Sequence, residues 1–239
     1  MAKHKQGTAR LAGFPGLNKE LVLGEIIAEL LGTMVLTLVA LSVSNNPFLI
    51  ALAVLVIVLV FGKISGAYVN PAFTVAMLVS KKLSAVKATS FVVAQFLGAM
   101  LAVVIASRFL KNGDPTAPST LYTLFDARTG HQVGTWFPLF GELAGAVLFG
   151  LGIASAVLEK NEGFEKAFTI AGALLIGIVI ALSGSYGVLN PAVALGIGGY
   201  SQGGLWSFAA YGLMPIVGCT AGALLYQFMK KDAKGSSQG

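Results

Sequence analysis

The chain has 239 residues, 56% of them hydrophobic and 11% charged, with a mean hydropathy of +0.81. Soluble domains carry about 25% charged residues, so this composition excludes an ordinary soluble fold and fits several membrane spans joined by short loops. The net charge of +6 admits nucleic acid or anionic lipid as a partner until the positions of the charges are known.

In chain order, Met1 to Lys19 is basic and lacks an apolar core followed by a small-residue cleavage site. It is expected to be a tail (1–19) rather than a removable signal peptide. A spanning helix needs about 20 mostly apolar residues. Stretches of this kind run from Glu20 to Val43, Pro47 to Phe61, Ser84 to Leu110, Phe137 to Leu158, Glu165 to Ser183, and Gly204 to Met229. The second is short and is expected to extend toward Ser65. Two further apolar stretches, 71–79 and 191–198, are too short to span. Each opens with Pro, which suits the first helical turn, after Asn, a good helix cap. They read as re-entrant half-helices.

The segment 111–136 holds Gly113, Pro115, Pro118 and Gly130 and reads as an exposed loop. It divides a first repeat (20–110) from a second (137–229). The tail from Lys230 to Gly239 is basic, then rich in Gly and Ser, and is expected to be disordered. Cys219 is the one cysteine, so no internal disulfide is possible, and its apolar surroundings suit a small buried residue.

Six spans put both termini on one side. Of the 16 Lys and Arg residues, all but Arg108, Lys111 and Arg128 fall on that side. The positive-inside rule makes it cytoplasmic. The same asymmetry accounts for the net charge without nucleic acid.

The halves repeat one another. Ala28-Glu29-Leu30-Leu31-Gly32-Thr33 matches Gly141-Glu142-Leu143-Ala144-Gly145-Ala146. Asn70-Pro71-Ala72 and Asn190-Pro191-Ala192 lie 120 positions apart, each after a Gly-x-Tyr segment. Three spans per half is an odd number, so the halves must be inverted relative to each other. The fold class is therefore an all-α membrane protein of six transmembrane helices plus two re-entrant half-helices. In that arrangement the N-termini of the half-helices meet near the membrane centre, each with about half a positive charge. Asn70 and Asn190 can donate N–H groups to a passing oxygen. Irregular backbone beside them belongs on a water-filled path.

Glu29 and Glu142 are costly inside a membrane. They could couple protons, as in a transporter, or accept hydrogen bonds from the re-entrant loops. Their matching positions in the two halves favour loop support. Gly218 and Gly222 form a G-x-x-x-G that suits close helix packing, inside the monomer in preference to an oligomer interface.

These motifs, above all Ser65-Gly66-Ala67-Tyr68-Val69-Asn70-Pro71-Ala72-Phe73-Thr74 and its partner at Asn190, resemble the major intrinsic protein family, the aquaporins and glycerol facilitators. The likeness runs from about Glu20 to Met229. It implies the aquaporin fold, a homotetramer with one pore per subunit, and Asn70 and Asn190 at the pore centre. It also implies that Glu29 and Glu142 hold the loops. Family members usually follow the second triplet with arginine, at the outer selectivity filter; here that residue is Val193. Counting from the asparagines, the other filter positions fall on Ile50, Ile178 and Gly187, so the filter has no polar side chain. Histidine is more usual at Tyr68, and is common at the position of Lys63, near the cytoplasmic mouth. Lys63 either reaches toward headgroups or supplies the positive charge missing from the outer filter.

The resemblance thus implies a passive channel for water and small uncharged solutes such as glycerol, urea, ammonia or hydrogen peroxide. The apolar filter either widens the pore or dewets it. A secondary transporter and an ion-conducting pore are the alternatives. A junction protein has no docking loop to support it. His4 and His131 fall in a tail and a loop, and no nucleophile, nucleotide or metal motif stands out, so neither an enzyme nor a cofactor is expected. The expected partners are water, neutral solutes and membrane lipid. Short loops and termini suggest a prokaryotic plasma membrane.

Overall fold

The computed structural model describes residues 22–43, 45–109, 136–201 and 204–236. The N-terminal segment 1–19 and the loop as far as 135 lie outside these residues. Every regular element among them is helical: α1 (Leu23–Ser42), α2 (Pro47–Phe61), α3 (Pro71–Val79), α4 (Ala85–Phe109), α5 (Trp136–Leu158), α6 (Gly163–Ala181), α7 (Pro191–Gly196), α8 (Gly204–Phe208) and α9 (Met214–Ser236). One π turn, Ala209–Leu213, joins α8 to α9 into a single long segment.

Five of these segments are long and apolar enough to cross a membrane: α1, α4, α5, α6 and the α8–α9 segment. At 15 residues α2 is shorter and rises about 22 Å, less than the hydrocarbon thickness of about 30 Å. Its helix proper stops at Phe61. A turn carries the backbone bonding onward, with the Ser65 N–H donating to the Phe61 carbonyl at 3.0 Å. Asn46 starts α2 by accepting N–H bonds from Phe48 and Leu49, with Pro47 in the first turn. One face of α2, carrying Ile50, Val54, Ile57 and Val58, is buried; Phe48, Leu52, Val56 and Val60 are exposed and apolar. Apolar side chains on the outside as well as the inside are what a helix needs when its surroundings are hydrocarbon.

Helix α1 packs on α4 and α2, α5 on α9 and α6, and α2 on α6. Small residues let these backbones approach. A Cβ on Gly98 of α4 would strike the Leu30 carbonyl of α1, and one on Gly145 of α5 the Gly177 carbonyl of α6. Gly218 and Gly222 of α9 face Leu143, Val147 and Leu151 of α5. The G-x-x-x-G is thus spent on a contact within one chain. Cys219 between them is fully buried.

Two expectations need correction. The second half-helix ends at Gly196 rather than at 198, because a turn with Gly198 at φ +75° follows, a conformation glycine takes without strain. The chain after Lys230 is helical to Ser236 rather than disordered. Lys and Ala are good helix formers, and Lys230 is anchored to α5 by a 3.2 Å bond to the Leu158 carbonyl and an ion pair with Glu159 at 2.6 Å.

Candidate functional site

Each half-helix begins with the same local chemistry. Asn70 has extended backbone (φ −156°) and its Oδ1 accepts the Ala72 N–H at 2.8 Å. Asn190 (φ −143°) accepts from Ala192 at 3.1 Å and Val193 at 3.3 Å. With both side-chain oxygens turned back on their own helices, the amide nitrogens point across to the other half. Asn70 Nδ2 donates to the Leu189 carbonyl at 2.9 Å, and Asn190 Nδ2 to the Val69 carbonyl at 3.0 Å. The exchange is reciprocal. Each asparagine caps its own half-helix and ties down the residue before the other asparagine. Each NH2 group has two donors, so one of these bonds leaves a second N–H.

The residues leading into each asparagine are bent through the left-handed region: Gly66 (φ +98°), Ala67 (+54°) and Val69 (+42°) in the first loop, Gly187 (+63°) and Leu189 (+51°) in the second. Positive φ on a β-branched residue such as Val69 is an outlier and persists only where the surroundings over-determine it. The surroundings here are the two buried carboxylates. Glu29 of α1 accepts from Ser65 Oγ (2.6 Å) and Tyr68 N–H (2.9 Å) on one oxygen, and from Val69 N–H (2.7 Å) and Gln95 Nε2 (2.8 Å) on the other. Glu142 of α5 accepts from Ser185 Oγ (2.8 Å), Val188 N–H (2.9 Å) and Leu189 N–H (2.8 Å). Both are 0% exposed. The loops differ in one respect. Gln95 of α4 joins Glu29 to Thr74 of the first half-helix, donating to the Thr74 hydroxyl at 2.9 Å. The equivalent position in the second half is Pro215, which has no side-chain donor. The second half-helix is instead held by Tyr200, whose hydroxyl donates to the Pro191 carbonyl at 3.0 Å and lies 3.3 Å from the Tyr211 carbonyl in the π turn.

The loops use their N–H groups on the carboxylates, and their other face borders a narrow cavity. Both asparagines line it, with Ala67, Tyr68, Val69 and Val188 from the loops. Its walls are apolar: Ile50 and Val54 of α2, Ile170 and Leu174 of α6, Phe73 and Phe149. Tyr68 stacks obliquely on Phe73, ring centroids 4.6 Å apart. The proline and alanine of each triplet are buried in the first turns of α3 and α7.

Of the four residues assigned to the outer filter, Ile50 and Val193 line this cavity. Ile178 and Gly187 are not among its lining residues. They lie against each other, and a Cβ on Gly187 would come within 2.9 Å of Ile178 Cγ2. Lys63 is exposed and stands off the cavity. Two polar residues at the site escaped sequence reasoning. Asn45 lines the cavity and donates to the Tyr186 carbonyl at 2.9 Å; its placement just before the Asn46 cap was the available signal. Lys166 of α6 donates to the Gly66 carbonyl at 3.4 Å. Among the described residues no three His, Cys, Asp or Glu side chains converge to hold a metal ion.

Comparison with known proteins agrees with this geometry. Residues 17–226 match the family model described as Major intrinsic protein. A glycerol uptake facilitator protein-like 6 from Lactiplantibacillus plantarum is 29% identical over 215 residues, covering 88% of this chain and 96% of that one. A probable aquaporin AqpM from Archaeoglobus fulgidus is 30% identical over 187 residues, 76% of this chain and 74% of its own. Among solved structures, the aquaglyceroporin from Plasmodium falciparum superposes with a TM-score of 0.62 over 86% of this chain and 94% of that one. Its 22% identity speaks for the fold alone.

Proposed function

The chain belongs to the major intrinsic protein family, and from that premise we propose how this multi-pass membrane channel for water and small solutes works. The permeation path runs through the cavity where the half-helices meet. The observation that carries this reading is the reciprocal pair of Asn70 and Asn190 bonds at its centre. One N–H of each amide holds the opposite loop, and the second is available to an oxygen of the permeant. Positive helix ends at the same point oppose cations. Water or an alcohol exchanges hydrogen bonds with donors on the asparagines and acceptors on the loop backbone, along walls that are otherwise apolar.

The outer filter is placed at Ile50 and Val193, which line this cavity, without the arginine usual in the family, while Ile178 and Gly187 pack against each other off it. The apolar filter favours small neutral or amphiphilic solutes such as glycerol over strict water selectivity. The relatives named as glycerol uptake facilitators support that preference. The active particle is a homotetramer in lipid, with both termini cytoplasmic, in a prokaryotic plasma membrane. A proton-coupled transporter is disfavoured because Glu29 and Glu142 are already engaged by three or four loop and side-chain donors each. Stopped-flow light scattering on proteoliposomes, comparing water, glycerol and urea, tests the reading. The expected result is glycerol flux well above protein-free vesicles and independent of any proton or sodium gradient. Flux that collapses with the gradient would overturn it.

A further inference from the structure

The carbonyl face of the first loop meets two donors from the other half of the molecule. At the centre, the Val69 carbonyl accepts from the neutral amide of Asn190. At the other end of the same bend, the Gly66 carbonyl accepts from the ammonium of Lys166, 3.4 Å away. Ala67 and Tyr68, between these two carbonyls, line the cavity. Lys166 is not itself a wall residue, but its contact with Gly66 puts its charge next to Ala67, which is.

Helix register gives the same location independently. Ile170 and Leu174 of α6 line the cavity. Lys166 is one turn before Ile170 on that stripe, and residues four apart share a helix face. Long helical side chains lean toward the N-terminus of their helix, so the stripe of wall residues ends in a charge. The neighbouring acids at the start of α6, Glu162 and Glu165, are exposed, whereas Lys166 is half-buried and directed to the loop.

We propose that Lys166 is a specificity-determining residue, a fixed positive charge at the mouth bounded by Gly66 that repels inorganic monovalent cations while neutral solutes pass. The idea rests on the channel reading above. It places the compensating cation on α6 rather than at Lys63, and it offsets the missing arginine at Val193 from the opposite end of the pore. A tethered charge suits this task, since a unit charge acts strongly where water is scarce.

The test uses full-length protein in liposomes with a potassium gradient and a voltage-sensitive dye, beside stopped-flow water and glycerol flux on the same preparations. Lys166→Met keeps the length of the side chain and removes its charge. The expected result is a potassium leak about tenfold above wild type, the factor that about 1.4 kcal/mol of barrier represents, with water and glycerol flux retained. Lys166→Arg stays at the wild-type leak. Should Lys166→Met fold poorly, Lys166→Cys serves: a thiosulfonate reagent carrying a trimethylammonium group restores the charge and lowers the leak again, while buried Cys219 leaves the wild type insensitive. A wild-type leak level in Lys166→Met, or a Lys166→Cys leak unmoved by the cationic reagent, overturns the proposal alone. A wild type that passes neither water nor glycerol overturns the channel reading and the proposal with it.

Discussion

Replacing Glu29 with Gln changes one oxygen into an NH2 group and nothing else in shape, and the bonding around it says what this costs. Each carboxylate oxygen accepts two donors. If the NH2 takes the place facing Val69 and Gln95, the Gln95 amide can turn over to accept, with the Thr74 hydroxyl within reach of both its amide atoms. The Val69 N–H cannot turn. If it takes the place facing Ser65 and Tyr68, the serine hydroxyl can rotate, but the Tyr68 N–H is stranded. Either way one buried backbone donor loses its partner and faces another donor. A buried donor left unsatisfied costs about 1–3 kcal/mol, and the repelling pair puts the total near the top, at about 3 kcal/mol. For a chain of this length each 1 kcal/mol lowers Tm by roughly 2–4 °C, so the variant should melt about 6–12 °C below wild type. The assay is thermal unfolding in detergent followed by tryptophan fluorescence, with hydrogen exchange of the 65–70 segment as the local readout. Faster exchange at Tyr68 and Val69 is expected. A Glu29→Gln protein with unchanged Tm and unchanged exchange there would refute the claim that this carboxylate holds the loop. Glu142→Gln should cost about as much, because with the amide oxygen presented to Ser185 and Val188 its NH2 faces the Leu189 N–H, and again one buried backbone donor is stranded.

Val193→Arg puts a long cation into the cavity wall beside Ile50 and should reduce glycerol and urea flux more than water flux in stopped-flow assays; a rise in glycerol flux would sink the account of the outer filter. Lys63→Gln, at an exposed position off the cavity, should leave solute flux and potassium leak at wild-type levels, and a leak that rises would return the cytoplasmic cation to Lys63. Gly222→Ala drives a methyl into the Val147 carbonyl of α5 and should destabilise by about 1–3 kcal/mol, read as a lower Tm in detergent; an unchanged Tm would mean that α5 and α9 separate without strain.

The fold was legible wherever local chemistry repeats. An Asn-Pro pair opens α2, α3 and α7 alike, because an asparagine cap and a first-turn proline specify a helix start whatever follows. Helix ends were less legible. Gly196, Gly198 and Gly199 crowd the end of α7, and no single one of them marks the stop by composition. Gly196 is small because Thr37 and Ala99 press on it, while Gly198 carries the left-handed turn. The charged residues after Lys230 read as a tail from composition, yet two contacts to α5 continue the helix through them. The matched carboxylates could be paired from sequence, but their unequal surroundings could not, since Gln95 and Tyr200 act through contacts specific to one half.

The charge at the mouth marks a limit of a different kind. Counting back from a triplet finds residues on the same loop and on the helix leading into it, Lys63 among them. Lys166 lies 100 positions from the carbonyl it reaches, on a helix of the other repeat, and its sequence signature is only a lysine one turn before an apolar stripe. That signature gains meaning once Ile170 and Leu174 are known to face the cavity. An inverted repeat makes this general. Each half-helix also packs on helices of the opposite half, α3 on α9 and α7 on α1 and α4, so a loop held by the carboxylate of its own half meets, in the opposite asparagine and in Lys166, groups that its own motif does not name. Selectivity in this chain is then a property of the seam between its repeats, and substitutions that distinguish it from its relatives should be sought on both sides of that seam.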